Sequence, residues 1–280
     1  MTATAPRGDG RLAIEFISVL GLRPVEFVHL ARDLGCAQIG LALNPLVNSP
    51  DNYQPWSLRD DAALRRETLA ALRETGVSIS QGEGFIVAAG ADIADAARDM
   101  DLLCELGAPR VNILSIDPDR GRSFDQFAEF ARMAAERGLC ATLEFMPGLT
   151  VPDLPTALAA LDHVRQDHFR LLIDTLHLAR SGGSAADLAA LSPDRIGYAQ
   201  LCDAPLAPTI SNYGEEASHH RLAPGEGELP LRAILEALPR DIVIGLETPR
   251  LDLAQAGVEP HQRLSAGVDR TRQMLAALEA

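Results

Sequence analysis

The chain of 280 residues contains no lysine; every one of its 25 Lys/Arg-class side chains is arginine. A Schiff base needs a lysine amine, and a P-loop needs its phosphate-binding lysine. Class I aldolase, pyridoxal-phosphate and P-loop chemistries are therefore excluded. Paired cysteines are also missing: Cys36, Cys104, Cys140 and Cys202 are widely spaced with no CxxC, which argues against a structural zinc site or a redox pair and for reduced, cytoplasmic thiols. No apolar run approaches the roughly 18 to 20 residues of a membrane span, and the first residues lack an apolar signal region. A soluble cytoplasmic protein without a membrane partner is expected. Positive charge is short, with a formal net charge of −14; such a field repels phosphate backbones, so nucleic acid is not an expected partner. The first strand is followed by a lone Gly21 and not by the GxGxxG turn of an open dinucleotide-binding sheet.

What is present is a regular beat. Apolar residues make up 47% of the chain, enough for a large core without staples. After a polar leader over residues 1–10, expected to be mobile, strand-like runs alternate with amphipathic ones. The runs begin at Leu12–Ser18, Gln38–Leu43, Val77–Glu83 and Arg110–Ser115, and continue at Leu139–Met146, the run ending in Asp174, Arg195–Leu201 and Ile242–Glu247. Helices are expected over Pro24–Leu34, Leu58–Thr75, Asp92–Leu106, Ser123–Arg137, Pro152–Gln166, Ala185–Leu191, Pro230–Leu238 and Pro260–Leu278. Gly76, Gly107 and Gly138 sit where left-handed caps would stop three of them. Eight strand–helix units without a compositional break imply parallel pairing through right-handed crossovers. The expectation is α/β, a (β/α)8 TIM barrel, forming a single domain over residues 11–280.

A barrel gathers its strand tips at one mouth. Strand five ends in Glu144, strand six in Asp174, strand seven presents Gln200 and strand eight ends in Glu247. Three carboxylates that close cannot all ionise unless a cation sits among them. Hard oxygen donors without thiolate point to a divalent metal, Mn2+ or Mg2+. A single acid at a strand end is more often a helix cap or an ion-pair partner; four oxygen-bearing tips on consecutive strands are harder to dismiss.

Glu144, Asp174-Thr-Leu-His177, Gln200-Leu-Cys-Asp203, the stretch from Pro224 to Leu229 and Gly245-Leu-Glu247 together resemble the sugar phosphate isomerase/epimerase family of xylose-isomerase-like TIM barrels, over nearly the whole chain. The resemblance implies metal ligation by Glu144, Asp174, Gln200 and Glu247. Gln200 stands where ketose 3-epimerases carry histidine and hydroxypyruvate isomerase-like members carry glutamine. It further implies that Glu144 and Glu247 act as acid and base on the two faces of one carbon, through an enediolate, and that His177 touches a substrate oxygen beside the metal. The related zinc endonucleases acting at abasic sites need additional histidines that these strand ends do not supply.

The expected activity is that of a metal-dependent isomerase or epimerase of a small ketose or polyol-type substrate. A dehydratase resembling inosose or dehydroshikimate dehydratase is the alternative, although the latter carries histidine where this chain has Met146; a non-catalytic sugar-binding barrel is a third reading. Residues 203–228 are too long for an ordinary βα loop and read as a binding loop. Within them Arg221 is the candidate for steering an anionic or enediolate oxygen. Glu83 and Asn112 sit late enough in their strands to face the pocket, whereas Glu15, mid-strand, would fill a buried polar layer. Trp56, with Tyr53, either walls a sugar-sized pocket or packs its loop against the barrel. A homodimer is the default expectation for such an enzyme.

Overall fold

The computed structural model describes residues 8–45 and 53–279. Residues 1–7 of the expected leader, residues 46–52 of the second βα loop and Ala280 lie outside the described residues. A 3-10 turn over Gly8–Arg11 leads into β1 (Leu12–Ile14), followed by β2 (Gln38–Ala42), β3 (Ser78–Val87), β4 (Arg110–Ser115), β5 (Cys140–Glu144), β6 (Phe169–Asp174), β7 (Ile196–Leu201) and β8 (Ile244–Leu246). Each strand pairs in parallel with the next and β1 pairs with β8, closing the sheet into the expected (β/α)8 barrel.

The connections carry α1 (Pro24–Asp33), α2 (Ala62–Thr75), α3 (Ala97–Glu105), α4 (Arg120–Glu136), α5 (Leu154–Val164), α6 (Thr175–Arg180), α7 (Ala185–Ala189), α8 (Tyr213–His219), α9 (Leu231–Ala237), α10 (Leu251–Gln255) and α11 (Pro260–Ala277). Asp61, Asp119 and Asp153 start α2, α4 and α5 by accepting backbone N–H groups that have no partner within the helix. Gly76, Gly107 and Gly138 follow α2, α3 and α4 with φ of 73°, 88° and 73°, the left-handed geometry that glycine adopts without steric cost.

Three departures from the expected elements matter for the site. β1 stops at Ile14, because Ser18 donates to the Leu246 carbonyl at 3.1 Å and accepts the Thr248 N–H at 2.8 Å, pulling Phe16–Val19 into a 3-10 turn beside β8. β3 runs on to Val87, with a register shift against β4 between Gly82 and Phe85, on either side of Glu83; such irregularities re-aim side chains. Asp174 both ends β6 and caps α6, taking the His177 N–H at 2.8 Å.

A large apolar core lies between the barrel and its helices, and a small one of Ala13, Leu172, Tyr198 and Val243 plugs the barrel itself. Side chains repeat on one face of a strand every second residue. The layer above that plug therefore consists of Glu15, Asp174, Gln200 and Gly245. Glu15 is wholly buried, and its carboxyl occupies space left by glycines on both neighbouring strands. A Cβ at Gly40 would lie 1.8 Å from a carboxylate oxygen, and one at Gly245 only 1.7 Å. Overpacking of this kind typically costs ~1–3 kcal/mol. G40A should lose about that much in urea unfolding, and the same change should cost little in an E15A background. Equal losses in both backgrounds would place the crowding elsewhere.

Candidate functional site

The C-terminal mouth holds a cavity of about 140 Å³. Its polar wall comes from Glu83 on β3, Asn112 on β4, Glu144 on β5, His177 on α6, Gln200 on β7, Glu247 just past β8, and Arg221 from the 203–228 segment. Asp174 lies beneath, with none of its side chain exposed. Phe16, Ile17, Ile86, Leu114 and Met146 form an apolar wall. Trp56 is not brought to this cavity: its indole N–H donates to the Gly21 carbonyl at 2.8 Å, packing the loop against the barrel.

Among the described residues, Glu144, Asp174 and His177 offer ligand atoms within 4.8 Å of one another. His177 Nε2 is 3.2 Å from Glu144 Oε1, while Asn112 Nδ2 donates to Glu144 Oε2 at 2.7 Å and to Glu83 Oε2 at 3.1 Å. Gln81 Nε2 donates to Glu83 Oε1 at 2.6 Å, and Thr142 Oγ1 links the Gln81 and Asn112 carbonyls at 2.9 and 3.0 Å. Arg221 reaches down between two acids. Its guanidinium pairs with Asp174 and, at 2.8 Å, with Glu247.

Burial dominates the electrostatics. It pushes the Glu247 carboxyl well above its usual range in spite of Arg221, with Asp174 and Glu144 adding repulsion. Glu83 rises for the same reason, reinforced by Glu144 and Glu15 and partly offset by the bonds from Asn112 and Gln81. Glu15 is raised to about 7 by burial, against the Tyr198 hydrogen bond that favours its ionised form. Burial acts on Asp174 as well, but the Arg221 guanidinium and His177 outweigh it and hold that carboxyl well below the ordinary range.

Two residues that sequence reasoning did not single out set this geometry. Tyr213, on α8, bonds His177 Nδ1 through its hydroxyl. The signal available was the length of the segment that carries it. Arg180 holds that segment down, donating to Glu216 at 2.6 and 3.1 Å and to the carbonyls of Pro205 and Leu206.

The profile of the xylose isomerase-like TIM barrel family matches residues 28–274. The chain belongs to that family. Its likeness to D-psicose 3-epimerase from Enterocloster bolteae is 28% identity over 127 residues, 44% of this chain and 37% of that protein, so the match spans little more than a third of the relative's length. Among solved structures, the IolI protein with a bound zinc atom superposes with a TM-score of 0.73 at 18% identity, over 96% of this chain and 97% of that one. The probable 3-DHS dehydratase AsbF from Bacillus anthracis gives 0.67 at 14% identity, over 96% and 99%. At such identities these two show the fold alone.

The residues of this xylose isomerase-like barrel fit a divalent cation. Glu144, Asp174 and His177 converge, and the buried Gln200 Oε1 has no hydrogen-bond partner among the described residues, an arrangement that ordinarily costs free energy. A cation would satisfy that oxygen and relieve the repulsion between acids. The His177 imidazole stands beside this set of oxygen donors.

A carboxyl whose pKa is higher in the folded state stabilises the fold fully below its unfolded value, and that contribution is lost as pH rises through the folded one. Glu15 therefore destabilises the protein as pH climbs from about 4.5 to about 7, and Glu83 and Glu247 act in the same sense. Asp174 acts oppositely, losing its contribution as pH falls below its unfolded range near 3.8. Thermal melts in EDTA should show the melting temperature falling across the 4.5–7 window, with a shallower fall for E15Q. An unchanged slope in E15Q would show that Glu15 is already ionised there.

Proposed function

We propose that this protein is a divalent-metal-dependent isomerase or epimerase of a small ketose or polyol-type substrate, in which Glu144 and Glu247 handle the proton on opposite sides of one carbon. The observation that carries this reading is that both glutamates line one small cavity from strands three steps apart round a closed ring of eight. Each has its own support: Asn112 and His177 hold Glu144, whereas Arg221 holds Glu247. A binding module has no need of two opposed, separately oriented carboxyls.

A divalent cation held by Glu144, Asp174, Gln200 and Glu247 would supply Lewis-acid polarisation of two neighbouring substrate oxygens. Such a set of oxygen donors suits Mn2+ or Mg2+. Glu144 and Glu247 take and return the proton, exchanging roles when the reaction runs backwards. His177, fixed by Tyr213 on one nitrogen and facing Glu144 with the other, offers its Nε2 to a substrate oxygen. Arg221 faces the same cavity and balances negative charge developing there. The apolar wall excludes water from the reacting carbon. Met146, part of that wall, stands where dehydroshikimate dehydratases carry histidine, which counts against that form of elimination.

Solvent-deuterium exchange into candidate ketoses, with and without Mn2+, tests this reading. Exchange accompanied by epimer or isomer is expected, and E144Q or E247Q should lower kcat by roughly 10²- to 10⁴-fold. Loss of water from the substrate would turn the assignment to a dehydratase, and no exchange with any candidate would leave a binding protein. Full turnover by E247Q would rule out the two-carboxyl mechanism.

A further inference from the structure

Glu15 lies outside the cavity lining yet directly under it, and the barrel is built around its carboxyl. Glycines on both adjoining strands leave it room. Tyr198 Oη donates to Glu15 Oε1 at 2.6 Å. Since that uses the only phenolic proton, the Ser80 hydroxyl 2.8 Å away must be the donor to Tyr198. The remaining oxygen, Oε2, has no hydrogen-bond partner among the described residues, and the Gln200 amide lies beside this carboxyl.

Gln200 shows the complementary pattern. Its Nε2 donates to Glu83 Oε1 at a long 3.4 Å, and its Oε1 has no hydrogen-bond partner among the described residues. An amide has two N–H donors and one carbonyl. With Glu83 and Glu15 both beside the amide, the NH2 end turns to the carboxyls. In their ionised forms, which a cation at the mouth would favour, both carboxyls only accept, so the opposite rotation would press the carbonyl oxygen against two acceptors.

We propose that Glu15 is a positioning residue, which together with Glu83 claims the Gln200 amide hydrogens and so leaves the Gln200 carbonyl oxygen free for a divalent cation. This rests on Gln200 being a ligand, as read above. A carboxyl serving only as filler would be better replaced by an apolar side chain, because burying an acid without full pairing is costly; the two glycines would then have no purpose.

Mn2+ affinity measured by electron paramagnetic resonance on the purified metal-free protein tests the proposal without recourse to turnover. E15Q retains the size of the side chain and an acceptor for Tyr198, but turns an NH2 group toward Gln200 and draws the Gln200 oxygen downward. Loss of a residue that orients a ligand typically weakens metal binding by about 10- to 100-fold, and that is the expectation for E15Q. Q200A should weaken binding on its own, and E15Q/Q200A should be no weaker than Q200A, since the two act through one contact. A purely structural role for Glu15 would lower the melting temperature but leave the Mn2+ dissociation constant unmoved, overturning the proposal; additive losses in the double variant would do the same. If Q200A binds Mn2+ like the wild type, the ligand reading itself fails and takes this inference with it, whereas a weak Q200A beside an unaffected E15Q removes the inference alone. Should E15Q not fold, Y198F carries the test: a smaller loss that vanishes in Q200A supports the role, and wild-type affinity overturns it.

Discussion

Repulsion among buried carboxyls is the constraint on which the mouth of this barrel depends. Glu15, Glu83, Asp174 and Glu247 are all buried, with Glu144 nearly so, and the guanidinium of Arg221 is the counter-charge set among them. Like charges at such range in a medium of low dielectric cannot all be ionised without compensation. The chain resolves this unevenly. Asp174 receives Arg221, a helix N-terminus and His177 and stays ionised, while Glu15, Glu83 and Glu247 are pushed towards protonation. One cation among these acids would change the balance for all of them, so the proposed metal site, the proposed proton-handling pair and the pH response of the fold are aspects of a single electrostatic problem.

That problem also explains the organisation of the 203–228 segment. Arg221 must be carried to the barrel axis by a loop and held there. Asp203 does much of this work: it pairs with Leu222 through two 2.9 Å backbone bonds, and its carboxyl collects the N–H groups of Ala204, Gly225 and Leu229. Gly227 is required beside it, because a Cβ there would fall 2.4 Å from Asp203 Oδ1. The Arg221 Nε then donates to the Ala217 carbonyl at 2.6 Å, fixing the guanidinium plane before anything binds. A surface ion pair is worth little. Arg180 and Glu216 are both largely buried, so breaking that pair would free α8 and with it Tyr213.

The fold was legible because its signals are local: apolar runs of strand length, amphipathic runs between them and glycine stops. The polar tips were legible because a barrel brings strand ends together whatever their distance in sequence. What could not be read depends on contacts distant along the chain. The early end of β1 is decided by Ser18 meeting Leu246 and Thr248, and it leaves Glu15 just beyond the strand, under the mouth, and not mid-strand. Ser80 and Gln81 are neighbours, yet both bond within the barrel, to Tyr198 and to Glu83. That breaks the alternation of a regular strand and follows from the register shift at Ile39/Gly40. Tyr213 sits on a helix of seven residues, too short to be stable by itself and so without a periodic pattern to announce it. Trp56 was open to two readings because an indole is apolar on its faces and polar at its edge; the nearby Gly21 carbonyl decided between them.

Asp174 shows why site and scaffold cannot be separated here. Its Oδ1 caps α6 through the His177 N–H, and its Oδ2 meets Arg221. Capping sets where α6 begins, and the start of α6 sets which way the His177 ring points, towards Glu144 and Tyr213. Moving this acid by one residue would turn it to the other face of its strand, lose the cap, rotate the imidazole by about 100° round the helix and leave the buried Arg221 guanidinium without one of its two acids. The three-residue spacing from Asp174 to His177 is thus a geometric requirement of the cap, and the convergence of Glu144, Asp174 and His177 within 4.8 Å follows from it.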